Sequence, residues 1–337
     1  MAKKKYDIIA VGGATVDISF PAREGTIVDN RRDLLRQKLL AFEAGAKISI
    51  DYYRQSFGGG ATNVAVNLAH SGFSVACLAA IGQDGYGRDI ADNLKQKGVL
   101  VSSLQEPKGR ASGASFIIVS DTGERLVFSY RGANDHLAVT AAAQEEIGRA
   151  DWVYIATLSH DWKRVLPKIF SVSGPRFAWN PGLSQCQAGA QALSRYLRRT
   201  DMFALNRDEA LELLLNTEKY KGQPRAFWDD IGNLLKAIFS FGPKLVVITD
   251  GPQGAYAYAG DRVYYQHTAK EKRRVDATGV GDRFNSSLLA SLILSGGDIK
   301  VALSAASRCA AAKVADFGAQ AGLVDVRRLV WKKKKNN

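Results

Sequence analysis

Short apolar runs alternate with amphipathic stretches along this chain. YDIIAV (6–11), VACLAAI (75–81), WVYIAT (152–157), FAWN (177–180), MFALN (202–206) and KLVVIT (244–249) predict strands. Several have no polar face, as expected for strands covered on both sides. Between them GRDIADNLKQKG (87–98), TAAAQEEIGRA (140–150), AGAQALSRYLRR (188–199) and RDEALELLLN (207–216) repeat apolar residues at helical spacing. The alternation predicts an α/β protein with a mostly parallel sheet and helices on both faces. Two regions alternate with period two instead, AKISIDYYRQSF (46–57) and ASFIIVSDTGERLVFSY (114–130). They predict antiparallel strands attached to the sandwich, the second folding on an Asp121-Thr122-Gly123 turn. RRDLLRQKLLAFEAG (31–45) has helical spacing and no evident role.

Composition leaves this picture in place. The 337 residues are 46% hydrophobic and 23% charged, ordinary for a globular protein with a sizeable core. Cys77, Cys186 and Cys309 lie far apart, without metal or redox spacing, which points to a reducing, cytoplasmic setting. His70, His136, His160 and His267 are equally scattered, so no histidine metal site is legible. No apolar run approaches the ~20 residues of a membrane helix. MAKKKYDIIAVGG reads as a strand and not a signal peptide, its apolar part being short and holding Asp7. The net charge of +13 suggests nucleic acid at first sight, but Lys3–Lys5 and Lys332–Lys335 carry seven of those charges. The expectation is two solvated basic tails on a mildly basic body, with no specific nucleic-acid binding. An anionic substrate accounts for that body equally well.

Ligands of open parallel sheets sit beyond the carboxyl ends of the strands, so the polar residues there carry the chemistry. The first strand ends in Gly12-Gly13, with Asp17 following, which alone is compatible with a turn. Another ends in Asn206 with Glu209 three residues on, a pair that also fits a helix capping box. A third ends in Thr249-Asp250-Gly251, with Gly254 behind it. Two glycine clusters open apolar helices: SFGGGATNVAVNLAHSG (56–72) and DATGVGDRFNSSLLASLI (276–293). Glycine and aspartate weaken a helix interior but suit a helix N-terminus whose N–H groups must meet something negative. The chain has neither a P-loop nor a Gly-x-Gly-x-x-Gly after its first strand.

The order of these features resembles the ribokinase-like sugar kinases, the PfkB carbohydrate kinase family, over nearly the whole length. Gly58-Gly59-Gly60-Ala61-Thr62-Asn63 is similar to the family's first signature, and Asp276-Ala277-Thr278-Gly279-Val280-Gly281-Asp282-Arg283-Phe284 to its second. The resemblance implies one three-layer ribokinase-like domain spanning 1–337, with a small antiparallel β lid near 46–57 and 114–130 and a basic tail at 332–337. It implies that Asp282 is the general base and that the N–H groups of Gly279, Val280, Gly281 and Asp282 form an anion hole. Asp17, Gly58, Gly59 and Asn63 would hold the acceptor. Asn206, Thr249, Gly251, Gly254 and Ser307 would line ATP, with Glu209 and Asn206 ordering the magnesium shell. Asp276 and Thr278 resemble a loop that binds a monovalent cation such as K+ in some members. The lid closes over the sugar in such kinases and often pairs two subunits into a homodimer.

This chain departs from ribose kinases in having Gly60 where they carry Lys, and Ser159 where they tend to place an acid. The sugar therefore stays open. A nucleoside kinase of the same fold is the alternative, and Tyr52, Tyr53 and Phe57 supply aromatic residues for its lid. A non-catalytic nucleotide- or nucleic-acid-binding protein is the alternative of another class, disfavoured by an intact Asp282. Ala277 and Arg283 vary the second signature without touching its working parts.

Overall fold

The computed structural model describes residues 5–21, 24–30, 38–119, 125–159 and 161–334. Its largest element is an eight-stranded sheet. In chain order the strands of the molecule are β1 (Tyr6–Val11), β2 (Thr15–Pro21), β3 (Thr26–Asp29), β4 (Lys38–Ala41), β5 (Arg54–Gly58), β6 (Val75–Leu78) and β7 (Gly113–Val119). They continue as β8 (Arg125–Tyr130), β9 (Ala150–Ile155), β10 (Arg176–Trp179), β11 (Met202–Asn206), β12 (Val246–Thr249), β13 (Ala255–Ala259) and β14 (Arg262–Gln266). The large sheet runs β14-β13-β12-β11-β10-β9-β1-β6. Its six strands from β12 to β6 are parallel, and β13 and β14 add an antiparallel edge.

The helices are α1 (Gly60–His70), α2 (Gly85–Gln96), α3 (Ala141–Gly148), α4 (Trp162–Phe170), α5 (Leu183–Cys186) and α6 (Gly189–Leu197). After them come α7 (Arg207–Leu215), α8 (Arg225–Asp229), α9 (Ile231–Phe239), α10 (Val280–Ser295), α11 (Ile299–Lys313) and α12 (Val326–Lys334). Two apolar layers sandwich the sheet. One packs Ile9, Val153, Trp179 and Phe203 under α4, α6, α7 and α9, and the other packs Ile8, Tyr154 and Val247 under α1, α2, α10 and α11. β1 shows the cause directly, since consecutive apolar residues Ile8 and Ile9 enter opposite layers and both are fully buried. This is the three-layer α/β architecture that the patterning predicts.

A second sheet, ordered β5-β2-β7-β8, rises from the carboxyl ends of the first. Its outer pairs are antiparallel, and its central pair, β2 with β7, is parallel. Three expectations change here. Asp17 is no turn residue but the third residue of β2, paired with Ser56 and Ser115. Of the region 46–57, only the end from residue 54 on is a strand, β5 (Arg54–Gly58). The stretch ahead of it leaves Ile50, Tyr52 and Tyr53 exposed, with no buried face to hold a strand in register. Lys38–Ala41 is a strand paired with Thr26–Asp29, where helical spacing predicted a helix. Leu39 is exposed there, so the helical stripe has no core to cover. Residues 31–37 and the Asp121-Thr122-Gly123 turn lie outside the described residues.

The basic tail also changes. α12 continues to Lys334, anchored by buried Val326 and Val330, so Lys332–Lys334 belong to a helix; 335–337 lie outside the described residues. At the other end Lys5 lies 3.5 Å from Glu146, while Lys3 and Lys4 are not described.

Candidate active site

The second glycine cluster opens α10. Asp276 folds the approach, its Oδ1 accepting from the Thr278 N–H at 2.8 Å and the Thr278 hydroxyl at 2.6 Å. Its Oδ2 accepts from the Gly318 N–H at 2.8 Å. Burial works against the ionised form, but these bonds and the nearby Lys313 charge outweigh it and hold the Asp276 carboxyl below its ordinary range. Gly279 then takes φ +73°, a left-handed conformation that any side chain would strain, and caps the helix without a side-chain bond. Val280 N–H reaches Ala277 O at 3.3 Å. The next N–H groups, of Gly281 and Asp282, lie in the first turn, where a helix offers no acceptor of its own.

Asp282 stands in that turn. Its Oδ2 accepts from Asn63 Nδ2 at 2.8 Å. Burial pushes its carboxyl up to about 6, against the Asn63 bond and the Arg283 charge, and the charge of Asp17 acts in the same direction as burial. Such a group is ionised at neutral pH yet basic enough to take a proton. Asn63 itself is held by Gln320, whose Nε2 lies 3.3 Å from Asn63 Oδ1. In this structure Asn63 therefore bonds the Asp282 carboxylate directly and fixes its orientation.

The first glycine cluster sits where the second sheet meets α1. Asp17 is buried at 5% exposure, and its Oδ1 accepts from the Thr15 hydroxyl at 2.9 Å. Burial raises its pKa, and the Ser115 and Thr15 bonds pull the other way. A Cβ on Gly58 would lie 2.0 Å from Asp17 Oδ2, and one on Gly59 2.5 Å from Gly13 O. A Cβ on Gly60 would sit 2.9 Å from Ala156 Cβ and 3.7 Å from Asp282 Oδ1. These glycines let β5, the β1 turn and α1 converge beside Asp282. Ser159 and Asp161 line a small cleft beside Gly12 and Gly13, so an acid does stand near the position that Ser159 leaves neutral. Arg131 is exposed.

On the other side of Asp282 opens a cleft of about 350 Å³. Asn206, Thr249, Gly251, Gly254 and Ser307 line it, together with Ala277, Val280 and Gly281. Pro252, Ala255, Ala310, Ala311 and Val314 give it an apolar wall suited to a flat ring. Ser307 is committed to protein, its Oγ accepting from Ala269 N–H at 2.9 Å and donating to His267 O at 3.1 Å. Asn206 and Glu209 form the capping box of α7: Asn206 Oδ1 accepts from Glu209 N–H at 2.7 Å, and Glu209 Oε2 from Asn206 N–H at 2.9 Å. Burial pushes Glu209 up to about 7, and the Asp282 and Asp208 charges add to it against the Asn206 bond. Among the described residues no group of three or more His, Cys, Asp or Glu side chains is gathered for a metal.

A carboxylate in the first turn of a glycine-led helix thus lies between a ring-sized cleft and the junction of α1 with the second sheet. Comparison with known proteins gives this arrangement its family. Residues 30–326 match the pfkB family carbohydrate kinases. The chain belongs to that family. An ATP-dependent ribose-1-phosphate kinase of Halopiger xanaduensis is 25% identical over 278 residues, covering 82% of this chain and 87% of the relative. The ribokinase of Schizosaccharomyces pombe is 26% identical over 281 residues, or 81% and 85% of the two chains. Among solved structures, Arabidopsis thaliana ribokinase complexed with ribose and ATP aligns with a TM-score of 0.76 at 19% identity, covering 98% of this chain and 99% of that one. Burkholderia thailandensis nucleoside kinase in complex with inosine aligns at 0.75 and 17%, covering 97% of each. At such identities these structures establish the fold.

Sequence reasoning missed several residues of this pfkB-family site. Arg283 is no bystander: it is 2% exposed, donates to Asn67 Oδ1 and Ala321 O at 2.8 Å each, and ties α10 to α1. Asn134 pins the β1–β2 corner, accepting from Ala14 N–H at 2.9 Å and donating to Ala14 O at 2.8 Å. Gln320 and Lys313 were also unread. An amide or a cation isolated in an apolar stretch, as in AAAKVA (310–315), was the available signal for Lys313. No helix among the described residues is long and apolar enough to cross a membrane.

Proposed function

We propose that this carbohydrate kinase transfers the terminal phosphoryl group of ATP to a hydroxyl of a small sugar, with Asp282 as general base. The observation that carries the reading is the Asp282 carboxylate itself. It is raised to about 6, aimed by Asn63 and set behind the first free N–H groups of α10. ATP would lie in the cleft between the Thr249–Gly254 turn and α11, its base against Ala310, Ala311 and Val314, and its phosphates pointing at Gly281. The acceptor would lie under the lid against Asp17, Gly58 and Gly59.

The steps follow from these positions. Asp282 takes the proton of the acceptor hydroxyl as its oxygen attacks the terminal phosphorus. The bond from that phosphorus to the bridging oxygen breaks, and ADP leaves. Charge spreads over the transferred oxygens, and the fixed dipole and N–H groups of the α10 terminus meet it without reorganising. Magnesium fits the residues present only as an ion held mainly by phosphates and water, since Glu209 and Asn206 are the nearby donors and bond one another. When bound, it neutralises phosphate charge.

One observation favours a nucleoside acceptor instead. Tyr52 and Tyr53 are exposed just before β5, and the Arg54 guanidinium lies over the Tyr52 ring at 5.2 Å and the Phe317 ring at 4.9 Å. This aromatic edge of the lid suits a flat base. A panel of free sugars, sugar phosphates and nucleosides, assayed for ADP release with ATP and magnesium, separates the readings. Turnover on a sugar and none on nucleosides supports the first. Folded protein that releases no ADP with any member overturns both.

A further inference from the structure

Lys313, the last residue of α11, is fully buried. A lysine is rarely so placed unless its charge is met on all sides. Here its Nζ donates to Asp276 O at 2.8 Å and to Asp316 O at 3.1 Å, and lies 3.6 Å from Asp276 Oδ2. Two carbonyls and a carboxylate are the oxygen donors that a hard inorganic cation takes. Two of the three come from Asp276, in the loop Asp276–Thr278 that resembles a monovalent-cation loop, and the third from Asp316. An inorganic ion does not fit there, because a compact positive charge already sits among the donors.

We propose that the Lys313 ammonium is the built-in cation of this loop and makes phosphoryl transfer independent of K+ and Na+. The inference rests on the reading of Gly279–Asp282 as the phosphate-facing end of α10. Lys313 acts as a positioning residue along two short paths. Through Asp276 it fixes Thr278, and so the left-handed turn at Gly279 that aims the first N–H groups of α10. Through Asp316 it fixes the following loop, where Ala319 packs so tightly on Gly279 that an added Cβ would lie 2.6 Å away, and where Gln320 holds Asn63. Both paths end at Asp282.

The test uses the full-length protein, its best acceptor from the panel, and KCl, NaCl or tetramethylammonium chloride at matched ionic strength. Wild-type turnover is expected to differ by less than about twofold among the three salts, since an occupied site has no cation affinity to couple to turnover. Activation of wild type by K+ of about tenfold or more overturns the proposal. Lys313→Ala is expected to lose about 100-fold in tetramethylammonium, the scale of an ångström-sized misplacement. K+ or NH4+ should restore most of that loss and raise the variant's Tm, as binding to the folded state alone requires, while leaving the wild-type Tm unchanged. Lys313→Met, which keeps the volume filled, should be as slow and not rescued. A folded Lys313→Ala that keeps full turnover, or that no small cation rescues, overturns the proposal, and the wild-type salt series decides if the variant does not fold. Retained turnover in Asp282→Asn would instead sink the reading of the site and leave the salt results standing.

Discussion

The two glycine clusters of the signatures open α1 and α10, and their surroundings differ. At α1 the glycines answer to the protein. Side chains on Gly58, Gly59 and Gly60 would strike Asp17, Gly13 and Ala156 within 3.0 Å. The polar groups there have internal partners too, with Ala61 N–H on Gly13 O at 3.1 Å and the Thr62 hydroxyl on Gly58 O at 2.6 Å. At α10, Gly279 alone answers to the protein, packed on Ala319. A Cβ on Gly281 would meet nothing within 4 Å. A glycine that neither packing nor backbone strain requires leaves room for something from outside. The comparison separates a junction built for assembly from a helix end built for a visitor.

The largest expected effect comes from the visitor's end. Asp282→Asn should lower turnover by about 100-fold or more, because the amide cannot take the acceptor's proton. The same change should stabilise the fold at pH 7 and above. Asp282 has a pKa raised by burial to about 6, so the native state binds its proton more tightly than the unfolded chain does. Wild-type stability therefore falls as pH rises from the ordinary carboxylate range, near ~4, through about 6. The Asn variant lacks that loss, so its Tm should exceed wild type above pH 6 and match it below about 4. Turnover of wild type should fall with acid below a pKa of about 6. A variant with normal turnover, or a Tm advantage independent of pH, contradicts the assignment.

The glycine pair tests the comparison itself. Gly281→Ala should fold as well as wild type or better by about 0.5–1 kcal/mol, the usual gain in a helix. Its turnover should nonetheless drop by about tenfold or more, since a methyl group blocks close approach to donors of the kind whose removal costs 10²–10³. Gly58→Ala should reverse the pattern, costing about 1–3 kcal/mol in denaturant unfolding as the methyl is forced onto Asp17. Its kinetic effect should fall on the KM of the acceptor. If Gly281→Ala destabilises and leaves turnover alone, the two helix ends are not different in kind.

What could be read from sequence follows the same divide. Strands buried on two sides were legible in place and type, Tyr6–Val11 and Met202–Asn206 to the residue and the others to within a few, because burial on two sides dictates their composition. β2 was not, since TVDISFP places Thr15, Asp17 and Ser19 in buried polar positions of the second sheet that an apolar pattern does not mark. The glycine-led start of α10 and its Asp282 were legible because these residues are contiguous. Asn63 was legible as a helix-opening residue but not as the partner of Asp282, which lies 219 positions away. Lys313, Gln320 and Arg283 belong to contacts between loops or helices that only the folded chain brings together. A sequence shows what one element needs, and these residues serve two elements at once.

The smallest expected effect sharpens the comparison from within the open cleft. Ser307 lines the cleft, yet its hydroxyl joins Ala269 N–H to His267 O, so it resembles the residues at α1 in being committed to protein. Ser307→Ala would leave the Ala269 N–H without that partner, a loss of about 1–3 kcal/mol where the group is buried. The wall formed by 267–269 would loosen, and the KM for ATP should rise a few-fold while turnover at saturating ATP stays near wild type. A selective loss of turnover with unchanged ATP KM would mean that Ser307 acts on the reacting phosphate and not on the wall. Nucleotide titration against both proteins, with unfolding measured on the same samples, distinguishes the two roles.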